Sequence, residues 1–127
     1  PEAAAPEGLV LFRFNGALIF FGAAYFKREV NKAVAAAGTG VRWFVLDLVP
    51  ITMIDATGVY AVREVFDDLR ARGIEPCLAG RAAEWAEWAA RRGFEKELAQ
   101  MRFFPSLGQA VAAYRYEAPT GGDARSS

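Results

Sequence analysis

Few residues of this 127-residue sequence are of a type that does chemistry, and the best placed of them sit together in Asp55-Ala56-Thr57-Gly58. Asp55 has the character of a helix N-cap, its carboxylate accepting amide protons near Thr57 and Gly58 and complementing the positive end of the helix dipole. On that reading Thr57 is an ordinary first-turn residue and Gly58 a close-packing point. A second reading makes Thr57 a phosphoacceptor. A phosphate there brings about −1.5 to −2 charges beside free helix amides and opposite the Asp55 carboxylate, and those opposed effects suit a switch. The residues leading in, Pro50, Ile51, Met53 and Ile54, are too apolar for a freely solvated loop; they either fold into the core or form a docking patch, and they define a candidate interaction surface.

Elsewhere the composition excludes most catalytic machinery. The chain has no histidine and one cysteine, Cys77, so no Ser-His-Asp triad, Cys-His pair or histidine-ligated zinc is available. No convergent pair of carboxylates is visible either, and no catalytic residue, metal site or cofactor is expected. Cys77 lies in an apolar run, Cys77-Leu78-Ala79, and reads as a small buried hydrophobe in a chain that fits a reducing compartment. Fifteen Lys+Arg balance fifteen Asp+Glu, which leaves no basic face for nucleic acid. Nucleotide binding is disfavoured, since neither standard Gly-rich phosphate loop occurs. Trp85 and Trp88, three apart with Arg91 and Arg92 following, suit base stacking in principle, but their helical spacing with Ala82 and Ala89 favours a packing face, and an exposed Trp would favour a protein partner.

These residues need a scaffold, and 127 residues with 54% apolar content suffice for one domain with a real core. Leu9–Phe14, then Asn15-Gly16, then Ala17–Phe21 predicts an antiparallel β-hairpin with a type I′ turn. Phe26, Val30 and Val34 recur every fourth residue and predict a helix from Gly22 to Ala37. Val41–Leu48 is apolar on both alternating faces, which predicts a central strand covered on both sides. Val59, Val62, Phe66 and Leu69 stripe a second helix, stopped by Gly73. Ile74–Gly80 is then a strand, Ala82–Arg92 a helix, Met101–Phe104 a short strand and Ser106–Tyr114 a last helix capped by Ser106. The class is α/β: a mostly parallel central sheet with an antiparallel edge hairpin and about four helices. Residues 1–8 read as a flexible Pro/Ala/Glu linker, 9–117 as the folded domain and 118–127 as a disordered tail, the ends looking like cuts from a longer protein. The longest early uncharged stretch, Phe14–Phe26, is broken by Asn15-Gly16 and falls short of the ~20 apolar residues of a membrane span.

Asp55-Ala56-Thr57-Gly58 resembles the Asp-x-Ser/Thr-Gly signature of STAS domains, the fold shared by bacterial anti-sigma-factor antagonists and the cytoplasmic C-terminal domains of sulfate-permease (SulP) anion transporters. Arg13–Phe26, with its aromatic pair before a small-residue helix entry, is similar to the transporter branch, as are Arg72-Gly73-Ile74 with Leu78-Ala79-Gly80 and Phe103-Phe104-Pro105-Ser106 with Ala110-Val111. The resemblance implies a non-catalytic cytosolic regulatory domain. It would modulate transport, folding or trafficking through contacts with the transmembrane domain of a parent transporter, and with other cytosolic proteins, at the cytoplasmic face of the inner membrane. The alternative it implies is a free-standing antagonist switched by phosphorylation at Thr57. Two departures stand against that alternative: the hydroxyl residue is Thr rather than the antagonists' usual Ser, and Ala56 stands where many of them carry a second Ser.

Overall fold

The computed structural model describes residues 5–18 and 22–126, with side chains described through residue 117. Eleven elements follow in order: β1 (Leu9–Arg13), β2 (Gly16–Leu18), α1 (Ala23–Ala36), β3 (Trp43–Asp47), β4 (Ile51–Ile54), α2 (Ala56–Ala71), β5 (Glu75–Ala79), α3 (Ala82–Arg92), α4 (Glu95–Ala99), β6 (Arg102–Phe104) and α5 (Leu107–Ser126). Strands β1, β3, β5 and β6 lie side by side in that order, all parallel, and β2 and β4 form a separate parallel pair.

The period-2 geometry of a strand divides β3 between two cores. Phe44 and Leu46 join a large cluster with Phe26 and Val30 of α1 and Val62, Phe66 and Leu69 of α2. Trp43 and Val45 point to the opposite side and join Cys77, Ala110 and Tyr114, the last two from α5. Every residue of β3 is buried, which is why its sequence carries no polar alternation. Helix α3 ends at Gly93, whose φ of +82° continues the chain through the left-handed region open to glycine.

Three expectations are corrected. The antiparallel hairpin does not form among the described residues, for β1 pairs with β3 and β2 with β4. A type I′ turn needs positive φ at both central residues; Gly16 has it, at +113°, but among the described residues Arg81 is the one non-glycine that does, so Asn15 does not. The Gly16 amide instead donates to the Pro50 carbonyl at 3.3 Å, starting the β2–β4 pair. Ile19, Phe20 and Phe21, read as part of the hairpin's second strand, lie outside the described residues. Second, Ile51–Ile54 is a strand and not a loop. Third, among the described residues there are five helices where about four are expected, because α4 has only five residues and no periodicity to betray it. Helix α5 begins as expected, with Ser106 Oγ accepting from the Gln109 amide at 3.1 Å. It continues past Tyr114, where the apolar stripe ends, to Ser126.

Candidate functional site

The β4–α2 corner is built by three backbone constraints. Asp55 is extended, with φ −118° and ψ −175°, and its Oδ1 accepts the Gly58 amide proton at 2.9 Å, satisfying one of the orphan donors of the α2 N-terminus. Its own amide donates to the Leu18 carbonyl at 3.3 Å, which ties the cap to β2. Gly58 then packs flat on the same carbonyl: a Cβ built on it would stand 2.0 Å from Leu18 O and 2.7 Å from Ile54 Cγ1. Asp55 is therefore a cap and Gly58 a close-packing point, as the residues suggested. Thr57 is half-buried in the first turn of α2, and its hydroxyl has no hydrogen-bond partner among the described residues.

The apolar lead-in divides as a strand should. Ile51 is 1% exposed and belongs to the large core, so it leaves the candidate interaction surface. Pro50 and Ile54 are half-buried, Ile54 packing against that core. Met53 is 58% exposed, and it is joined by Val49 at 57%, a residue the sequence did not single out.

Arg81 was also missed, and it holds this corner from the other side. It is the N-cap residue of α3 and sits in the left-handed region at φ 54°, ψ 38°, a conformation that costs an L-residue roughly 1–2 kcal/mol. Its Nη1 donates to the carbonyl oxygens of Val49 at 3.2 Å and Ile51 at 3.0 Å, its Nε to Glu84 Oε1 at 2.7 Å, and its guanidinium lies over the Trp85 ring. The hydrogen bond from Arg81 holds the exposed Glu84 carboxyl below its ordinary range. No local pattern announces such a residue, because it depends on carbonyls 30 and 32 positions away.

At the carboxyl edge of the sheet Asp47, 3% exposed, accepts from the Val49 amide at 3.0 Å and pairs with Arg13 at 3.2 Å. Gly80, at φ +101°, lies under Val49, whose Cγ2 would stand 2.8 Å from an added Cβ. These contacts serve the β3–β4 turn. Cys77 is buried, and desolvation, reinforced by the Glu75 charge, pushes its thiol up to about 12, which removes the thiolate a nucleophile requires. Among the described residues no group of three or more His, Cys, Asp or Glu could hold a metal ion, and no helix is long and apolar enough to cross a membrane. Trp85 and Trp88 are half-buried, edge-to-face at 5.6 Å, and Trp88 stacks on Phe94 at 5.7 Å.

Three similarities bear on this arrangement. The chain is 28% identical over 115 residues to the probable sulfate transporter Rv1739c of Mycobacterium tuberculosis (strain ATCC 25618 / H37Rv), covering 91% of this chain and 20% of that protein. It superposes on the crystal structure of a sulfate transporter family protein from Wolinella succinogenes with a TM-score of 0.71, 25% identity and 91% of each chain covered. The fold also matches a putative anti-sigma factor antagonist from Thermotoga maritima, with a TM-score of 0.69 at 14% identity over 88% of this chain and 92% of that one. The chain spans only about a fifth of the length of the curated relatives it matches, 18% to 20% for the first of them. The STAS domain family model matches residues 1–110, and with the parallel sheet, its helical layers and the Asp55-capped corner in place, the chain belongs to the STAS domain family.

Proposed function

We propose that this chain is the cytosolic regulatory and interaction domain of a SulP-type sulfate or anion transporter, without chemistry of its own. It acts through the β4–α2 corner on the transmembrane domain of the parent transporter. The observation that carries this reading is the pair Val49 and Met53: two large apolar side chains, each more than half exposed, on a turn held by Arg81, Asp47 and the Asp55 cap. Exposed apolar residues on a rigid corner suit a docking surface better than a solvated loop does. The naming of the relatives as sulfate transporters supports the choice of partner. The test is anion uptake by the full-length protein encoded by the parent gene. Met53→Asp should lower uptake several-fold at unchanged membrane abundance; wild-type uptake, or a gene with no segments that span a membrane, overturns the reading.

A second reading is favoured by one observation, the Thr57 hydroxyl without a hydrogen-bond partner among the described residues, in the first turn of α2. In an antagonist of sigma-factor regulation, of the kind named for the Thermotoga maritima neighbour, that hydroxyl would accept a phosphoryl group and the new charge would release a partner. Incubation with a cognate kinase and mass spectrometry decides it: modification at Thr57 supports the switch, and an unmodified chain beside a modified control excludes it.

A further inference from the structure

The sheet is covered unequally on its two faces. Among the described residues eighteen buried side chains form the large core, with α1 and α2 supplying long ones such as Phe26, Val30, Phe66 and Leu69. The second core has seven. Every member of it that is not a strand residue comes from α5: Ala110 and Tyr114 are buried, and Leu107, Val111 and Ala113 pack against the cluster. A helix held largely by small side chains and one aromatic ring, over a thin core, stands at the low end of local stability.

The ring is what ties this helix down. Tyr114 is 1% exposed, meets Trp43 edge-to-face at 5.4 Å, and donates its hydroxyl proton to the Glu7 carbonyl. That acceptor belongs to the turn through which the chain enters β1, closed by the Leu9 amide donating to the Pro6 carbonyl at 3.0 Å. The turn reaches β3 as well, since the Gly8 carbonyl accepts from the Arg42 and Trp43 amides at 2.7 and 3.1 Å. A Cβ on Gly8 would stand 2.4 Å from the Tyr114 hydroxyl, so turn and helix meet without a gap. The ion pair of Glu117 with Arg102, the other polar link from α5 to the sheet among the described residues, is exposed and adds little.

We propose that α5 and the entry turn form one opening unit, latched by Tyr114 on Glu7, and that its release uncovers the face of the sheet carrying Trp43, Val45 and Cys77 while the large core stays closed. Lifting α5 carries the hydroxyl away from Glu7, and displacing Glu7 leaves a buried hydroxyl without its acceptor, so each movement favours the other. The chain arriving at Glu7 thereby governs access to an apolar face that the closed domain hides. Cys77 lies on that face and reports its opening, because a thiol buried under α5 reacts only when the helix lifts. The inference is independent of whether the chain serves a transporter or an antagonist.

The test follows labelling of Cys77 by a thiol-reactive dye at pH 8, together with amide hydrogen exchange, in this 127-residue chain. Labelling should be slow, yet faster than global unfolding allows and only weakly dependent on urea, since a local opening exposes little surface. Tyr114→Phe keeps the ring and deletes the hydrogen bond, and it should speed labelling about fivefold, the factor that one net hydrogen bond carries. The amides of Ala110 in α5 and of Leu9 and Trp43 at the turn should exchange faster by the same factor, and those of Val62 and Phe66 in α2 should not. A chain shortened to begin at Gly8 lacks the acceptor; it should show the same gain, with no further gain when Tyr114→Phe is added. Should the shortened chain fail to fold, the Tyr114→Phe measurements decide alone. Labelling with the full urea dependence of global unfolding, an unchanged rate in Tyr114→Phe, α5 amides that speed up without those of the turn, or gains that multiply in the double variant overturns the proposal.

Discussion

Gly58 lies against the carbonyl oxygen of Leu18 so closely that a Cβ on it would stand 2.0 Å from that oxygen. The same carbonyl accepts the Asp55 amide proton at 3.3 Å, so the turn cannot simply back away. In an open helix Gly→Ala stabilises by up to about 1 kcal/mol, whereas overpacking against a fixed backbone costs about 1–3 kcal/mol. Gly58→Ala should therefore be net destabilising by about 2 kcal/mol in urea denaturation. A gain in stability would mean that β2 gives way.

The cap predicts a contrast between two substitutions of one residue. Asp55→Ala removes the acceptor of the Gly58 amide and should cost about 1 kcal/mol. Asp55→Asn retains an oxygen acceptor and should lie within a few tenths of a kcal/mol of wild type. Equal losses in the two denaturation curves would assign the effect to charge instead of to the cap.

Arg81 combines a strained backbone with useful hydrogen bonds, and the two separate by substitution. Arg81→Ala keeps the left-handed strain and removes the donors to Val49 and Ile51; for a guanidinium about one-third exposed the loss should be about 1 kcal/mol, below the range for buried charged donors. Arg81→Gly removes the same donors but relieves the φ of 54°, so it should be the more stable of the pair. In both variants nuclear relaxation should report a more mobile Val49–Met53 turn, and an unchanged turn would count against the clamp.

The buried thiol predicts an alkaline limit. Folding raises the Cys77 pKa from 9.0 to about 12 through desolvation first and the Glu75 charge second. The unfolded chain therefore releases this proton before the folded one does. The contribution is fully present below pH 9 and is lost as pH rises toward about 12, with a slope of at most about 1.4 kcal/mol per pH unit. Cys77→Ala should flatten the stability profile in that window, and the native thiol should resist a thiol-reactive dye at pH 8.

Helices α1, α2 and α3 were legible because each carries a four-residue apolar rhythm or a terminal glycine, and β3 because it is apolar on both faces. The failures have a common cause in partners that lie far along the chain. Asn15-Gly16 has the composition of a hairpin turn, yet β1 gains a full register with β3, and β2 is drawn to β4 by bonds such as Gly16 to Pro50. The Asp55 cap and the close-packed Gly58 were legible because a cap and its first turn are written locally. Arg81 and Val49 were not, since the carbonyl–guanidinium contacts that make them matter cross 30 or more positions. Ile51 could not be told from Met53 without the strand that sends one inward and leaves the other exposed.

At the opposite face from this corner, the Tyr114 hydroxyl donates to the Glu7 carbonyl across 107 positions of sequence, and the Gly8 carbonyl accepts from the Arg42 and Trp43 amides. The backbone ahead of Leu9 is thus bonded to α5 and to the base of β3 before it enters β1. The backbone entering β1 is thereby fastened to Trp43 and Tyr114 of the second core, and the Asp55 corner has no part in holding it.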